Sequence, residues 1–196
     1  MARKIILSPG HGKNTPGKRS PDSSLMEWEF NRELVNRIAK KLDQEDIEYV
    51  LLDMQQLDMP LNARVANANR FGKNSLYISV HGNAAGNGTN WMNARGWSAY
   101  TSKGQTKSDD MCEIFMQVAE ELIPQTGSKV RKYSQKKYGW EENFYVLKNT
   151  IMPAILTENL FYDNKKDLEI MKSDTGLDIL AEIHVQAIKK ILKMEL

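Results

Sequence analysis

Short apolar runs alternate with longer amphipathic stretches along most of this chain. Five runs have the length and the β-branched or apolar composition of buried strands, and they cover residues 3–8, 49–52, 76–80, 96–102 and 152–157. Between them, apolar residues recur at helical spacing over residues 27–42, 61–71, 108–122 and 179–192. This alternation predicts an α/β fold with a mostly parallel, twisted sheet of about five to six strands and helices on both faces.

The pattern lapses over residues 124–143, which are polar, basic and aromatic. A connection of this length in a compact domain usually serves function, so we expect it to border an active cleft. Its central part, residues 129–140, places five positive charges within nine residues, beside tyrosine and tryptophan. A solvated loop, stacking on nucleic-acid bases, and a groove wall that stacks on sugars all explain this composition, and the sequence does not separate them.

Composition narrows the class of protein. With 196 residues, 41% of them hydrophobic, residues 1–196 are predicted to form a single domain, without a separate wall-binding or other module. Lysine and arginine total 27 against 25 acidic residues, and the net charge of +2 gives no reason to expect a nucleic-acid partner. No apolar run approaches the roughly 18 residues of a membrane span, and the first residues show no signal-peptide pattern. We expect a monomer that is made in the cytoplasm.

Three strand-like runs end in side chains that can do chemistry, namely His11, His81 and Glu158. Because the carboxyl ends of parallel strands line one edge of a sheet, we expect these side chains to converge in the crevice there. Two imidazoles supply half of a tetrahedral zinc shell, and a catalytic zinc ion takes three protein ligands. His184 lies within the last predicted helix and is expected to be packed or solvated, and Cys112, at helical spacing among apolar residues, is expected to be a buried thiol.

The best candidate for the third zinc ligand is Glu27, because the first loop delivers it to the start of a helix at the same edge of the sheet. Asn31 follows one helical turn later and is placed to orient the carboxylate. An alternative is that Ser24 and Glu27 form a capping box, in which the glutamate only stabilises the helix start. Glu29 and Asp22 are the competing carboxylates.

Glu158 closes an apolar strand, where an unpaired charge is costly, so it needs a partner or a catalytic purpose. Beside a zinc ion it would serve as general base and acid, and its bland alternative is an ion pair with a lysine. Residues 12–18 nearly match the phosphate-binding loop of nucleotide hydrolases. That reading fails because Arg19 stands in the Ser/Thr position and Pro16 removes an amide donor.

Four segments resemble the zinc-dependent N-acetylmuramoyl-L-alanine amidases of the amidase-3 type. They are SPGHG, EWEFN, LNARVANAN followed by LYISVHGNA, and YVLKNTIMPAILTENLF, which span nearly the whole chain in the family's order. The resemblance implies that His11, Glu27 and His81 bind zinc and that Glu158 is the catalytic acid and base. The first loop is more similar to phage lytic amidases, whereas Asn159 and Leu160 depart from the family's usual E-[TS]-G-F.

The resemblance implies a peptidoglycan hydrolase that cuts the amide between N-acetylmuramic acid and the L-alanine of the stem peptide, and that acts at the cell wall. Two alternatives stay open on the sequence. One is a zinc peptidase that trims the stem peptide itself, and the other is a wall-binding module without catalysis.

Overall fold

The computed structural model describes residues 4–134 and 139–194. Its strands are β1 (Lys4–Pro9), β2 (Tyr49–Leu51), β3 (Ser75–Asn83), β4 (Ser98–Thr101), β5 (Trp140–Glu141) and β6 (Ala154–Phe161). They form one sheet in the order β2-β1-β3-β6-β4-β5. The first four strands in this order are parallel, whereas β4 is antiparallel to β6 and β5 is parallel to β4. The prediction of a mostly parallel α/β sheet is confirmed.

Helices cover the sheet on both faces. They are α1 (Glu27–Gln44), α2 (Leu61–Asn69), α3 (Lys107–Leu122), α4 (Tyr145–Asn149), α5 (Lys165–Lys172) and α6 (Asp174–Leu192). Alternate residues of β1 separate the two cores, because successive side chains of a strand point to opposite faces. Ile5 and Leu7 lie in the larger core with α1, α3 and α6, while Ile6 lies in the smaller core with α2 and α4.

Three short elements were not predicted. They are β5 with two residues, α4 with five, and α5 with eight, which begins after the side-chain cap of Asn164. Part of the segment predicted to be an irregular connection is therefore regular, and Val130 also forms a bridge to Trp97. Of the basic aromatic run, Lys136, Lys137 and Tyr138 lie outside the described residues.

Two strands continue past their predicted ends. The sequence predicts that β3 and β6 stop at His81 and Glu158, but both residues lie within the ladder and are paired with each other. The register then shifts, so that Asn83 pairs with Phe161, and Leu160 adopts a left-handed conformation with φ of 71°. A β-bulge of this kind re-aims side chains and is common beside active sites. Within the described ranges, no helix has the length and apolar character that a membrane crossing requires.

Candidate metal centre

His11 follows β1 in a backbone conformation that is unusual for a residue with a side chain. Its φ is 58°, in the left-handed region, which persists only where the surroundings enforce it. Two buried arginines do so: Arg32 Nη2 lies 3.0 Å and Arg64 Nη2 lies 3.4 Å from the carbonyl oxygen of His11. Arg64 also donates to the carbonyl of Pro9 at 2.8 Å. The turn that presents the imidazole is thus held by side chains from two helices.

Glu27 is the first residue of α1, and its side chain is only 1% exposed. The capping-box interpretation is wrong, because Met26 is the N-cap residue and no side chain caps this helix. The backbone amide of Glu27 instead donates to the carbonyl of Lys18 at 2.9 Å. Both competing carboxylates lie apart: Glu29 is exposed, and Asp22 accepts hydrogen bonds from its own loop, which lower the pKa of its carboxyl to about 2.

The structure brings His11, Glu27 and His81 together. Glu27 Oε1 lies 3.5 Å from His11 Nε2 and 3.3 Å from His81 Nδ1. One ligand atom from each residue lies within 4.8 Å of the other two, which is the spacing of a shared cation. The imidazoles are nearly perpendicular, at 87°, with centroids 5.1 Å apart. Ser79 Oγ lies 3.0 Å from His81 Nε2 and so leaves Nδ1 directed at Glu27.

The backbone beside the histidines is as constrained as the histidines themselves. A Cβ atom on Gly10 would lie 2.0 Å from His81 Cε1, so only glycine allows the imidazole to occupy its position. Asn31 Nδ2 donates to the carbonyl of Gly10 at 3.1 Å, whereas its distance to Glu27 Oε1 is 3.5 Å. The predicted contact between Asn31 and the carboxylate is therefore long, and Asn31 holds the Gly10 backbone more closely.

The charge states of the three residues suit a metal ion. Burial lowers the pKa of His11 to about 4, against the opposing effect of Glu27, so its imidazole is neutral at neutral pH. Burial alone would raise the pKa of Glu27, but the hydrogen bond with His81 and the nearby imidazoles and Lys18 lower it. Glu27 Oε2 is buried without a hydrogen-bond partner in the described part of the chain. Two imidazoles and an incompletely satisfied carboxylate are a donor set that fits zinc.

Glu158 lies beside these residues, in β6 opposite His81. Its Oε2 is shielded from solvent and has no hydrogen-bond partner among residues 4–134 and 139–194. Burial raises the pKa of the Glu158 carboxyl well above its usual value, and the negative charge of Glu27 raises it further. A carboxyl group in this state can both accept and donate a proton near neutral pH.

A buried polar network that the sequence did not predict supports Glu158 from behind. Asn159 Nδ2 donates to the carbonyl of His81 at 3.0 Å, and its Oδ1 accepts from Trp97 Nε1 at 2.7 Å. Thr157 Oγ1 lies 3.0 Å from His184 Nε2. The only signal in the sequence was the run of three polar residues, Thr157 to Asn159, inside a buried strand.

Two predictions for residues outside the site are confirmed. His184 is fully buried and packs against the rings of Trp97 and Phe115, with Nδ1 2.8 Å from the carbonyl of Leu180. Cys112 is buried in α3. The segment that resembles a phosphate-binding loop is not followed directly by a helix, since α1 begins only at Glu27.

Two depressions meet at the metal centre, and His11, Lys18, His81 and Glu158 line both. We call the first, a groove of about 610 Å³, the apolar arm. Its further lining includes Met59, Leu61, Phe144, Tyr145 and Leu156. We call the second, of about 310 Å³, the polar arm. Its further lining includes Gly82, Asn83, Gly86 and Asn87.

Comparison with known proteins gives consistent matches over almost the full length. The family described as N-acetylmuramoyl-L-alanine amidase matches residues 5–190. An endolysin of Bacillus phage SPP1 is 31% identical over 208 residues, which cover 100% of this chain and 68% of that protein. The amidase CwlM of Bacillus licheniformis is 27% identical, over 97% of this chain and 69% of that protein. The crystal structure of an N-acetylmuramoyl-L-alanine amidase from Clostridium difficile 630 is similar with a TM-score of 0.85 and 27% identity, covering 99% of this chain and 98% of the other.

Proposed function

Since the chain belongs to the amidase-3 family of N-acetylmuramoyl-L-alanine amidases, we propose that it hydrolyses the bond between N-acetylmuramic acid and L-alanine with zinc held by His11, Glu27 and His81. The observation that carries this proposal is the convergence of those three ligand atoms beside Glu158. Family membership favours the amidase over the two alternatives considered for the sequence, a peptidase of the stem peptide and a wall-binding module without catalysis.

Three features of the chain support the ligand assignment. His11 is neutral and Glu27 ionised at neutral pH, as their pKa directions require. Ser79 fixes the orientation of the His81 ring. When bound, zinc supplies Lewis acidity, which lowers the pKa of water toward roughly 7 and polarises a carbonyl group.

Glu158 is the proposed proton-transfer residue. Its carboxylate takes a proton from the attacking water and delivers it to the nitrogen of the departing alanine, so that hydrolysis yields a lactyl carboxylate and a free amine. The raised pKa of Glu158 favours the second step, because the protonated form persists long enough to meet the leaving group. The β-bulge at Leu160 and the bonds of Asn159 hold this segment of β6 in place.

Digestion of purified cell walls tests the proposal. Mass spectrometry should find stem peptides that begin with a free alanine, together with glycan that has lost its peptides. A Glu158→Gln variant should retain stoichiometric zinc but lose about 10²- to 10⁴-fold in kcat, since it cannot transfer the proton. The matched control is Glu169→Gln, an exposed glutamate on α5 that should behave as wild type. Alanine left on muramic acid, or full activity in Glu158→Gln, would refute the assignment.

A further inference from the structure

The two arms of the site differ in chemistry. The apolar arm is lined by aliphatic and aromatic side chains, and Phe144 and Tyr145 on its wall are 37% and 43% exposed. The polar arm is lined by a glycine- and asparagine-rich segment that follows β3, with Asn83 and Asn87 among its residues. The metal centre lies where the arms meet, so a substrate that spans it must place a different part in each arm.

Aromatic rings continue from the apolar arm to the edge of the sheet. The ring of Phe144 lies 5.5 Å from that of Tyr100, which lies 6.1 Å from Trp140. Trp140 in turn lies 5.6 Å from Tyr133, which is 62% exposed. We call Tyr100, Tyr133, Trp140 and Phe144 the ring platform. Its two inner rings are largely covered, while Phe144 and Tyr133 present open surface at its two ends.

Arg131 fixes the inner part of the ring platform. Its guanidinium lies 5.4 Å from the centroid of Trp140 and 4.9 Å from that of Phe161. The indole Nε1 of Trp140 donates to the carbonyl of Arg131 at 2.8 Å. Because the inner rings are held on two sides, the exposed rings gain little freedom to lose on binding, and a preorganised surface binds more tightly for the same contacts.

We propose that the ring platform and the apolar arm bind the glycan strand of peptidoglycan, which leaves the polar arm for the stem peptide. The inference rests on the proposed function, because the bond at the metal centre then joins a sugar substituent to a peptide. Sugar rings have apolar C–H faces that pack on aromatic rings, whereas a peptide needs hydrogen-bonding groups such as those of the polar arm. This assigns a role to the described part of the basic aromatic run, which sequence alone left open.

Binding of peptide-free glycan strands of N-acetylglucosamine and N-acetylmuramic acid to the metal-free full chain tests the inference. By titration calorimetry, Tyr133→Ala and Phe144→Ala should each raise Kd roughly 2- to 10-fold. Trp91→Ala is the matched control, because Trp91 is 36% exposed and its ring contacts Lys165 outside the ring platform. It should bind as wild type does. Equal thermal midpoints verify that the variants are folded.

A second measurement needs no substitution. In the wild-type chain, aromatic NMR signals of Tyr133 and Phe144 should shift as glycan strands are added, while those of Trp91 should not. Absence of binding by the wild type, unchanged Kd in both platform variants, or weakening only in Trp91→Ala would overturn the inference. Wall digestion by the zinc-loaded wild type is scored separately: release of the peptide without glycan binding refutes only this inference, and failure to cleave the amide refutes the proposed function.

Discussion

Two histidines of this protein share a lowered pKa and differ in everything around them. Burial lowers the pKa of His11 and of His184 to about 4. Both ring nitrogens of His184 have partners, Thr157 Oγ1 and the carbonyl of Leu180, and its ring is packed in the core. The Nε2 of His11 faces Glu27 at 3.5 Å, at the junction of two depressions, and its side chain is 22% exposed.

The comparison shows that burial and a perturbed pKa do not by themselves identify a functional histidine. What distinguishes His11 is a neighbouring imidazole and a carboxylate whose second oxygen lacks a hydrogen-bond partner within the described ranges. His184 is satisfied locally and therefore stabilises the fold. The two environments should respond differently to substitution.

The largest contrast should come from removal of a ligand. His11→Ala and His81→Ala should lose stoichiometric zinc and with it hydrolysis, a greater effect than the roughly 10- to 100-fold caused by loss of an outer partner. Glu27→Gln should also lose zinc, whereas the exposed Glu29→Gln should keep it. Elemental analysis of purified protein measures the difference, and a variant of His11 or His81 that retains one zinc per chain would exclude that residue as a ligand.

His184→Ala should show the opposite behaviour, with full zinc content and reduced stability. The substitution leaves a cavity between Trp97 and Phe115 and strips the carbonyl of Leu180 of its partner, which together cost roughly 3 kcal/mol. Urea unfolding monitored by fluorescence gives the change in the free energy of unfolding. Zinc loss from the folded variant would contradict the separation of the two environments.

Acid should sharpen the same contrast. The pKa of His184 is about 4 in the folded chain and about 6.5 in the unfolded one, so between these values the unfolded state binds the proton and stability falls as pH drops. Near pH 5 the slope of unfolding free energy against pH should be about 1.4 kcal/mol per unit smaller in His184→Ala than in wild type. Chelator is present in both titrations, and identical slopes would mean that His184 is protonated in the folded state.

The smallest effect should come from Ser79→Ala. Its hydroxyl lies 3.0 Å from His81 Nε2, and its loss frees the ring to rotate while leaving all three ligands. Zinc affinity, measured by competition with a chromophoric chelator, should fall about 10-fold. Ser75→Ala, at the start of the same strand and bonded to the carbonyl of Phe71, is the control and should not change it. Equal affinities for Ser79→Ala and wild type would place this hydroxyl outside the metal centre.

The parts of the structure that follow a local pattern were predictable. Apolar periodicity identified four of the helices, and histidines after apolar runs indicated where the sheet would gather them. The support of the site could not be predicted, because its partners are distant in sequence. Asn159 reaches the carbonyl of His81 across 78 residues and Trp97 across 62, and nothing in the sequence shows that pairing.

The ring platform was unpredictable for another reason. Its strand, β5, has two residues, too few for a period to emerge, and its rings come from β4, β5 and the segments beside them. Composition indicated that the region binds something. Only the spatial order of the rings, leading outward from the metal centre, distinguishes a glycan from the other partners considered.

The contact between Gly10 and the His81 ring bears on how this protein tolerates mutation. Any side chain at position 10 would meet the imidazole at 2.0 to 2.5 Å, so even alanine forces the ring aside. A saturation library at this codon should thus return glycine alone among lytic clones, although the residue carries no reactive group. Engineers who seek hardier enzymes from this scaffold should leave that codon untouched.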